Sequence, residues 1–285
     1  MLVSISKLMS RLPLPLLHAC GTMLGWSVYL YSSSYRKRMR KNLASAGYSA
    51  QRRRAIAESG KAMKELPFIW YGTPTRVMAR TQLENWDLVQ DALAEGKGLI
   101  FLTPHLGSFE VSAQAVAHSI PLMVLYRPPR KAIFKPLLEE ARARPNLDLA
   151  PANLTGVRML AKRLKKGMAI GMLPDQVPQQ GEGVWADFFG KPAYTMTLPA
   201  KLHAMTGAPI ITAWAERLSW GRGFKVHFAR LETPLNGTPT EQAQAINAAM
   251  EALIANNPAQ YLWSYNRYKQ PSAQRSLRKE PAPPQ

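Results

Sequence analysis

The chain predicts an α/β domain, a largely parallel central sheet flanked by helices, and three observations predict it. Short apolar runs at residues 98–103 (GLIFLT), 121–126 (PLMVLY) and 168–173 (MAIGML) are bounded by Gly, Pro or charged residues, the pattern of buried strands. Helical-period segments alternate with them, and that alternation favours parallel pairing through crossover helices. No internal repeat or linker divides the chain, and 285 residues can fill one large core.

In chain order, residues 12–31 (LPLPLLHACGTMLGWSVYLY) carry no Asp, Glu, Lys or Arg, which is about the length that spans a bilayer. Trp26, Tyr29 and Tyr31 suit an interfacial belt, and Arg36, Lys37, Arg38, Arg40 and Lys41 follow at once, marking the cytoplasmic side. The expectation is an N-terminal membrane-anchoring helix over residues 1–35. A cleaved signal peptide and an ordinary buried helix compete with it. Residues 50–71 read as helix, and 85–96 as a short helix opened by Asn85 and stopped by Gly96. Residues 132–143 read as helix and 147–151 as a short strand. The helix at 155–166 places Val157, Leu160, Ala161 and Leu164 inward and Arg158, Lys162, Arg163, Lys165 and Lys166 outward. A glycine-bearing loop leads to Phe188-Phe189-Gly190. A helix at 195–206, strands at 208–215 and 224–231, and a helix at 240–255 capped by Thr240 complete the α/β domain, 36–270. The Pro- and Arg-rich tail, 271–285, has the composition of disorder.

Composition narrows the function. Apolar residues make up 46% of the chain, and 37 Lys and Arg against 18 Asp and Glu leave a net charge of +19. Such a surface attracts polyanions. No helix-turn-helix, finger or RNA-binding aromatic signature accompanies the charge, so an anionic membrane and an acidic protein rank above nucleic acid. The single Cys20 excludes a disulfide framework and a cysteine zinc site. No His cluster has metal spacing, and no metal or bound cofactor is expected.

Three consecutive buried strands end on His105, Arg127 and Asp175, each beside a proline. In a parallel sheet those ends share one edge, above which ligands bind. Glu110 lies in the first turn of the helix after His105, placed to fold back on the imidazole, fix its tautomer and leave the other ring nitrogen free as a base. A loop or helix-capping role for His105 is the alternative, and spacing alone does not decide, because His227 and Glu232 repeat it. No Gly-x-Ser-x-Gly elbow occurs, and nothing marks Ser108 as activated. The constellation suits a base that deprotonates a substrate hydroxyl rather than a covalent enzyme.

HLGSFE resembles the H-x4-[DE] block of the glycerolipid-type (lysophospholipid) acyltransferase superfamily. The set TPHLGSFE, the YRP after the next strand, the Gly156-Val157-Arg158 helix, LPDQ followed by FFG, TGAPII and QYLWSYNRYK resembles the late lauroyl and myristoyl acyltransferases of lipid A biosynthesis, over about residues 1–270. Ser108-Phe109 stands where that branch usually has Asn-Trp. The resemblance implies an acyl-carrier-protein-dependent O-acyltransferase at the bacterial inner membrane, its catalytic domain on the cytoplasmic side and its acceptor a lipid A precursor. His105 would be the base and Glu110 its orienting partner. Arg127, Arg158, Asp175 and Gln176 would hold a phosphorylated sugar or the pantetheine phosphate. Backbone N–H groups near Gly107 or Arg127 would serve the oxyanion. An acyltransferase for another lipid acceptor, such as a lysophospholipid or an amino-acid lipid, is the nearer alternative. A non-catalytic basic protein of the membrane surface is the more distant one.

Overall fold

Leu99, Ile100, Phe101 and Leu102 are all buried, and so are Ala169, Ile170, Gly171 and Met172 beside them. Strands covered on both faces belong in the middle of a sheet, and the computed structural model, which describes residues 2–127, 140, 142 and 144–271, places them there. The elements run α1 (Leu2–Met9), α2 (Leu14–Tyr31), α3 (Ser33–Ser45), α4 (Arg52–Lys64), α5 (Leu66–Tyr71), α6 (Pro74–Met78), β1 (Thr81–Glu84), α7 (Trp86–Ala94), β2 (Leu99–Leu102), α8 (Phe109–Ser119), β3 (Leu122–Tyr126), β4 (Leu147–Pro151), α9 (Leu154–Leu164), β5 (Ala169–Met172), β6 (Gly183–Phe188), β7 (Lys191–Met196), α10 (Leu198–Thr206), β8 (Ile210–Arg217), β9 (Phe224–Arg230) and α11 (Pro239–Asn256).

The central sheet has the order β1-β9-β8-β2-β5-β3-β4. Its pairs are parallel except the β8–β9 hairpin. Side chains alternate across it with the period of a strand. Ile100, Leu102, Ile170 and Met172 join one core with Leu160 of α9, Leu202 of α10 and Met250 of α11. Leu99, Phe101 and Ala169 join the other, with Val89 of α7 and Val111 and Ala115 of α8.

The predicted N-terminal membrane anchor is corrected. Among the described residues no helix is long and apolar enough to cross a membrane. Pro13 stands at the N-cap of α2 and confines the helix to 18 residues, about 27 Å at 1.5 Å per residue. Its buried face, Leu14, Leu17, His18, Gly21 and Gly25, lies on protein. A Cβ at Gly60 of α4 would stand 1.9 Å from the Gly21 carbonyl oxygen, and one at Gly25 would stand 2.2 Å from that of Ile56. Small residues here let two backbones touch. His18 is buried with its Nε2 3.0 Å from Glu65. One face of the uncharged run is therefore covered by protein, chiefly α4, while Leu16, Met23, Leu30 and Tyr31 stay exposed on the other.

Other expectations shift locally. The single helix predicted over 50–71 breaks into α4 and α5 between Lys64 and Leu66. The predicted loop before Phe188 is a hairpin, β6–β7, turning on Phe189 and Gly190 at φ 48° and 67°. Two left-handed residues make the turn that matches strand twist, with a Phe where Asn or Asp would have signalled it. The cap of α11 is Thr238, in a reciprocal pair with Glu241, rather than Thr240. The helix predicted at 132–143 falls mostly outside the described residues, as does the tail from 272 onward.

Candidate active site

β2, β5 and β3 are neighbours and parallel, so the residues that follow them meet at one edge. His105 follows β2, Asp175 follows β5 and Arg127 follows β3. The turn after His105 is held by backbone. Gly107, at φ 62°, presses against β8, where an added Cβ would lie 1.9 Å from the Ala215 carbonyl oxygen. Ser108 N–H donates to that oxygen at 2.8 Å. Only glycine fits such a left-handed close approach.

Asp175 meets His105 twice. Its Oδ1 lies 2.7 Å from Nδ1 of the ring, and its Oδ2 accepts the His105 backbone N–H at 2.9 Å. Burial would push the Asp175 carboxyl up, but the His105 ring and backbone N–H, with Arg267 farther off, hold it below its ordinary value. An ionised Asp175 accepts Nδ1–H and leaves the lone pair on Nε2. The Gln176 amide nitrogen stands 2.9 Å from Nε2 and donates to that lone pair. Phe109 lies against the ring, centroids 4.9 Å apart. The His105 side chain is 14% exposed against 2% for Asp175: the ring can be reached and its partner cannot.

With Nδ1 taken by Asp175 and Nε2 by Gln176, the ring has no nitrogen left for Glu110, and the predicted His105–Glu110 pair is not what forms. Glu110 is buried at the start of α8 and accepts from Trp70 Nε1 at 3.2 Å and from Arg142 Nε at 3.3 Å, with a second, shorter contact to Arg142 Nη2. Helix geometry explains the difference. Residue 110 sits in the first turn of α8, on a face turned toward Trp70 of α5, while the strand-end loop of β5 lies directly beside that of β2.

His105 opens into a cavity of about 200 Å³, lined also by Arg127, Arg142, Gln176, Leu173 and Met196. A second, more apolar cavity of about 280 Å³ shares Leu125, Arg127, Ala152 and Met196 with it and runs on past Val157 and Leu198. An imidazole, two guanidinium groups and an adjoining greasy chamber suit a substrate with an anionic head and a hydrocarbon chain.

The residues of the family model described as bacterial lipid A biosynthesis acyltransferase match positions 1–270 of this chain. The chain belongs to that family. It is similar to the lipid A biosynthesis palmitoleoyltransferase of Escherichia coli K12, at 28% identity over 271 residues, covering 91% of this chain and 87% of the relative. It is similar to the lauroyltransferase of the same organism at 24% over 277 residues, covering 94% and 90%. A phosphatidylinositol mannoside acyltransferase of Mycobacterium tuberculosis H37Rv matches at 26% over 181 residues, covering 61% and 56%.

Of the other residues singled out for this acyltransferase-family chain, Arg127 is exposed at the cavity rim shared by both chambers. Arg158 is exposed on α9, outside the linings of the two chambers. The Gly107 N–H is committed to the Gln260 carbonyl oxygen at 3.0 Å, which removes it as an oxyanion donor. Ser108 Oγ is buried with no hydrogen-bond partner among the described residues, so nothing activates it as a nucleophile. Arg142 carried no signal in the sequence. Gln260, Tyr261 and Tyr265 sat in a recognised block without an assigned task.

Proposed function

We propose that this chain is an O-acyltransferase that moves a fatty acyl group from the thioester of acyl carrier protein to a hydroxyl of a lipid A precursor. The observation that carries the reading is the Asp175–His105 pair presenting Nε2 to a cavity that continues into an apolar chamber. The acceptor hydroxyl displaces the Gln176 amide from Nε2. His105 takes its proton as general base, and Asp175 stabilises the imidazolium. The alkoxide oxygen bonds to the thioester carbonyl carbon. The tetrahedral intermediate then expels the carrier thiolate, which recovers the proton from His105. The acyl chain lies in the apolar chamber. Arg127 and Arg142 face the acceptor's phosphorylated head, since guanidinium forks suit phosphate. The Arg127 backbone N–H is the remaining candidate for the oxyanion. Glu110 holds Arg142 in place instead of orienting the base, and Arg158 has at most an outer role in binding anions.

The exposed Lys162, Lys165 and Lys166 on and beside α9 offer a basic face to the acidic carrier. The acceptor is a lipid, so the protein works at the cytoplasmic face of the bacterial inner membrane. No bound cofactor takes part in these steps.

Purified protein incubated with acyl carrier thioesters and tetra-acylated lipid A precursor should yield a product heavier by one acyl chain, and His105→Ala should yield none. Normal turnover by a folded His105→Ala protein would end this reading. The match to a phosphatidylinositol mannoside acyltransferase favours one second reading, an acyltransferase for another lipid acceptor. Parallel assays with lysophospholipid and mannosylated acceptors separate the two.

A further inference from the structure

The segment after α11 touches both halves of the proposed catalytic pair. On the His105 side, Leu262 N–H donates to the His105 carbonyl at 3.1 Å and Gly107 N–H donates to the Gln260 carbonyl at 3.0 Å. Tyr261 forms an antiparallel bridge with Leu106 between them. On the Asp175 side, Val177 N–H donates to the Tyr265 hydroxyl at 3.0 Å. The buried Tyr261 hydroxyl faces the Asp175 carboxylate, and burial together with that negative charge raises the phenol well above its ordinary value. The segment is itself anchored. Arg267 is buried and donates to the Tyr194 carbonyl at 2.7 Å and to Thr195 Oγ1 at 2.6 Å. Asn42 of α3 donates to the Trp263 carbonyl at 2.7 Å.

We propose that residues 260–267 form a clasp that sets the geometry of the catalytic pair, with Tyr261 and Tyr265 as positioning residues. This rests on His105 being the base. The two strand-end loops come from chain positions some seventy residues apart and have few backbone bonds to each other. One short segment bonded to both holds their spacing. Tyr261 contributes through its backbone bridge to Leu106 and Tyr265 through the hydroxyl that takes the Val177 N–H.

The test uses the full chain in the acyl carrier thioester assay, with His105→Ala and Tyr265→Phe followed by thermal melting and by kcat and KM for the acyl donor. Tyr265→Phe removes the hydroxyl that takes the Val177 N–H and should lower kcat by about tenfold, through misplacement of the pair, with KM for the acyl donor unmoved. A mere packing role would lower the melting temperature without splitting kcat from KM. If Tyr265→Phe keeps the wild-type kcat while His105→Ala is inactive, the clasp is overturned and the base stands. If His105→Ala turns over normally, the base fails and the clasp with it. Should Tyr265→Phe not fold, Asn42→Ala, which frees the Trp263 carbonyl, decides alone: a wild-type kcat overturns the proposal.

Discussion

Asp175 Oδ1 lies 2.7 Å from His105 Nδ1 while its Oδ2 accepts the backbone N–H of the same residue at 2.9 Å. One buried carboxylate thereby fixes both the rotation of the ring and the loop that carries it. An amide at this position would keep the shape but remove the charge and present the wrong polarity to Nδ1. We expect Asp175→Asn to fold and to lose kcat by about 10²- to 10⁴-fold, measured in the carrier thioester assay beside His105→Ala.

Glu110 should behave differently, because it touches Arg142 and Trp70 rather than the ring. Glu110→Gln frees Arg142 from its ion pair at the cavity wall. The expected result is a rise in KM for the phosphorylated acceptor of about tenfold, with kcat within about threefold of wild type, since a charge-assisted hydrogen bond is worth about 1.5–3 kcal/mol. A collapse of kcat matching that of Asp175→Asn would return Glu110 to the role the resemblance implied.

A second buried carboxylate governs stability. Burial would raise Glu65, but Arg217, with Nε and Nη2 each 2.6 Å from it, and His18 bring it down from 4.5 to about 2. A folded-state value below the unfolded one means the stabilisation is complete above about pH 4.5 and is lost as pH falls toward 2. Glu65→Gln leaves Arg217 buried with Glu58 alone and should cost about 3–5 kcal/mol at pH 7. Urea unfolding at pH 7, 4 and 3 checks both points, because the gap between variant and wild type must narrow as the acid is added.

The α2–α4 crossing tolerates no side chain at its closest point. Gly60→Ala would drive a methyl into the Gly21 carbonyl and to within 2.6 Å of the Gly25 nitrogen. Backbone on both sides cannot step aside as a flexible side chain would, so we expect a loss of about 1–3 kcal/mol, read as a lowered melting temperature. Activity per folded molecule should hold, since α4 does not line the His105 cavity.

Val157 faces the apolar chamber away from His105. Val157→Phe shortens that chamber without touching the base. The variant should prefer acyl donors two or more carbons shorter than those of the wild type, by about 10-fold in kcat/KM, given about 0.8 kcal/mol per buried methylene. Competition between carrier thioesters of mixed length, read by product mass, measures the shift.

Much of this was legible in the chain. Buried strands show as apolar runs whatever they pair with, so β2, β3 and β5 were found, and the convergence of residues 105, 127 and 175 followed from parallel pairing. His105 stood out by context, a strand that stops, presents a His and turns into a helix, although a loop or helix-capping role fitted the same residues. The N-terminal stretch was misread because hydrophobicity reports that a surface avoids water without saying whether lipid or protein covers it. Gly21, Gly25 and Gly60 answered that, and their meaning depends on α2 and α4 lying together. β6 and β7 were missed because Phe189 turns the chain in a conformation that Asn or Gly usually marks.

Residue types and local periodicity settled the layering of helices on a largely parallel sheet and the meeting of residues 105, 127 and 175 at one edge, since each depends on neighbours in sequence. Which carboxylate serves the His105 imidazole was settled by strand order, because β5 lies beside β2 and brings position 175 to position 105 across a gap no local pattern spans. The same is true of Tyr261 and Tyr265, whose partners lie beyond the reach of any helix or strand period and meet them only when the chain's end folds back over the mouth of the sheet.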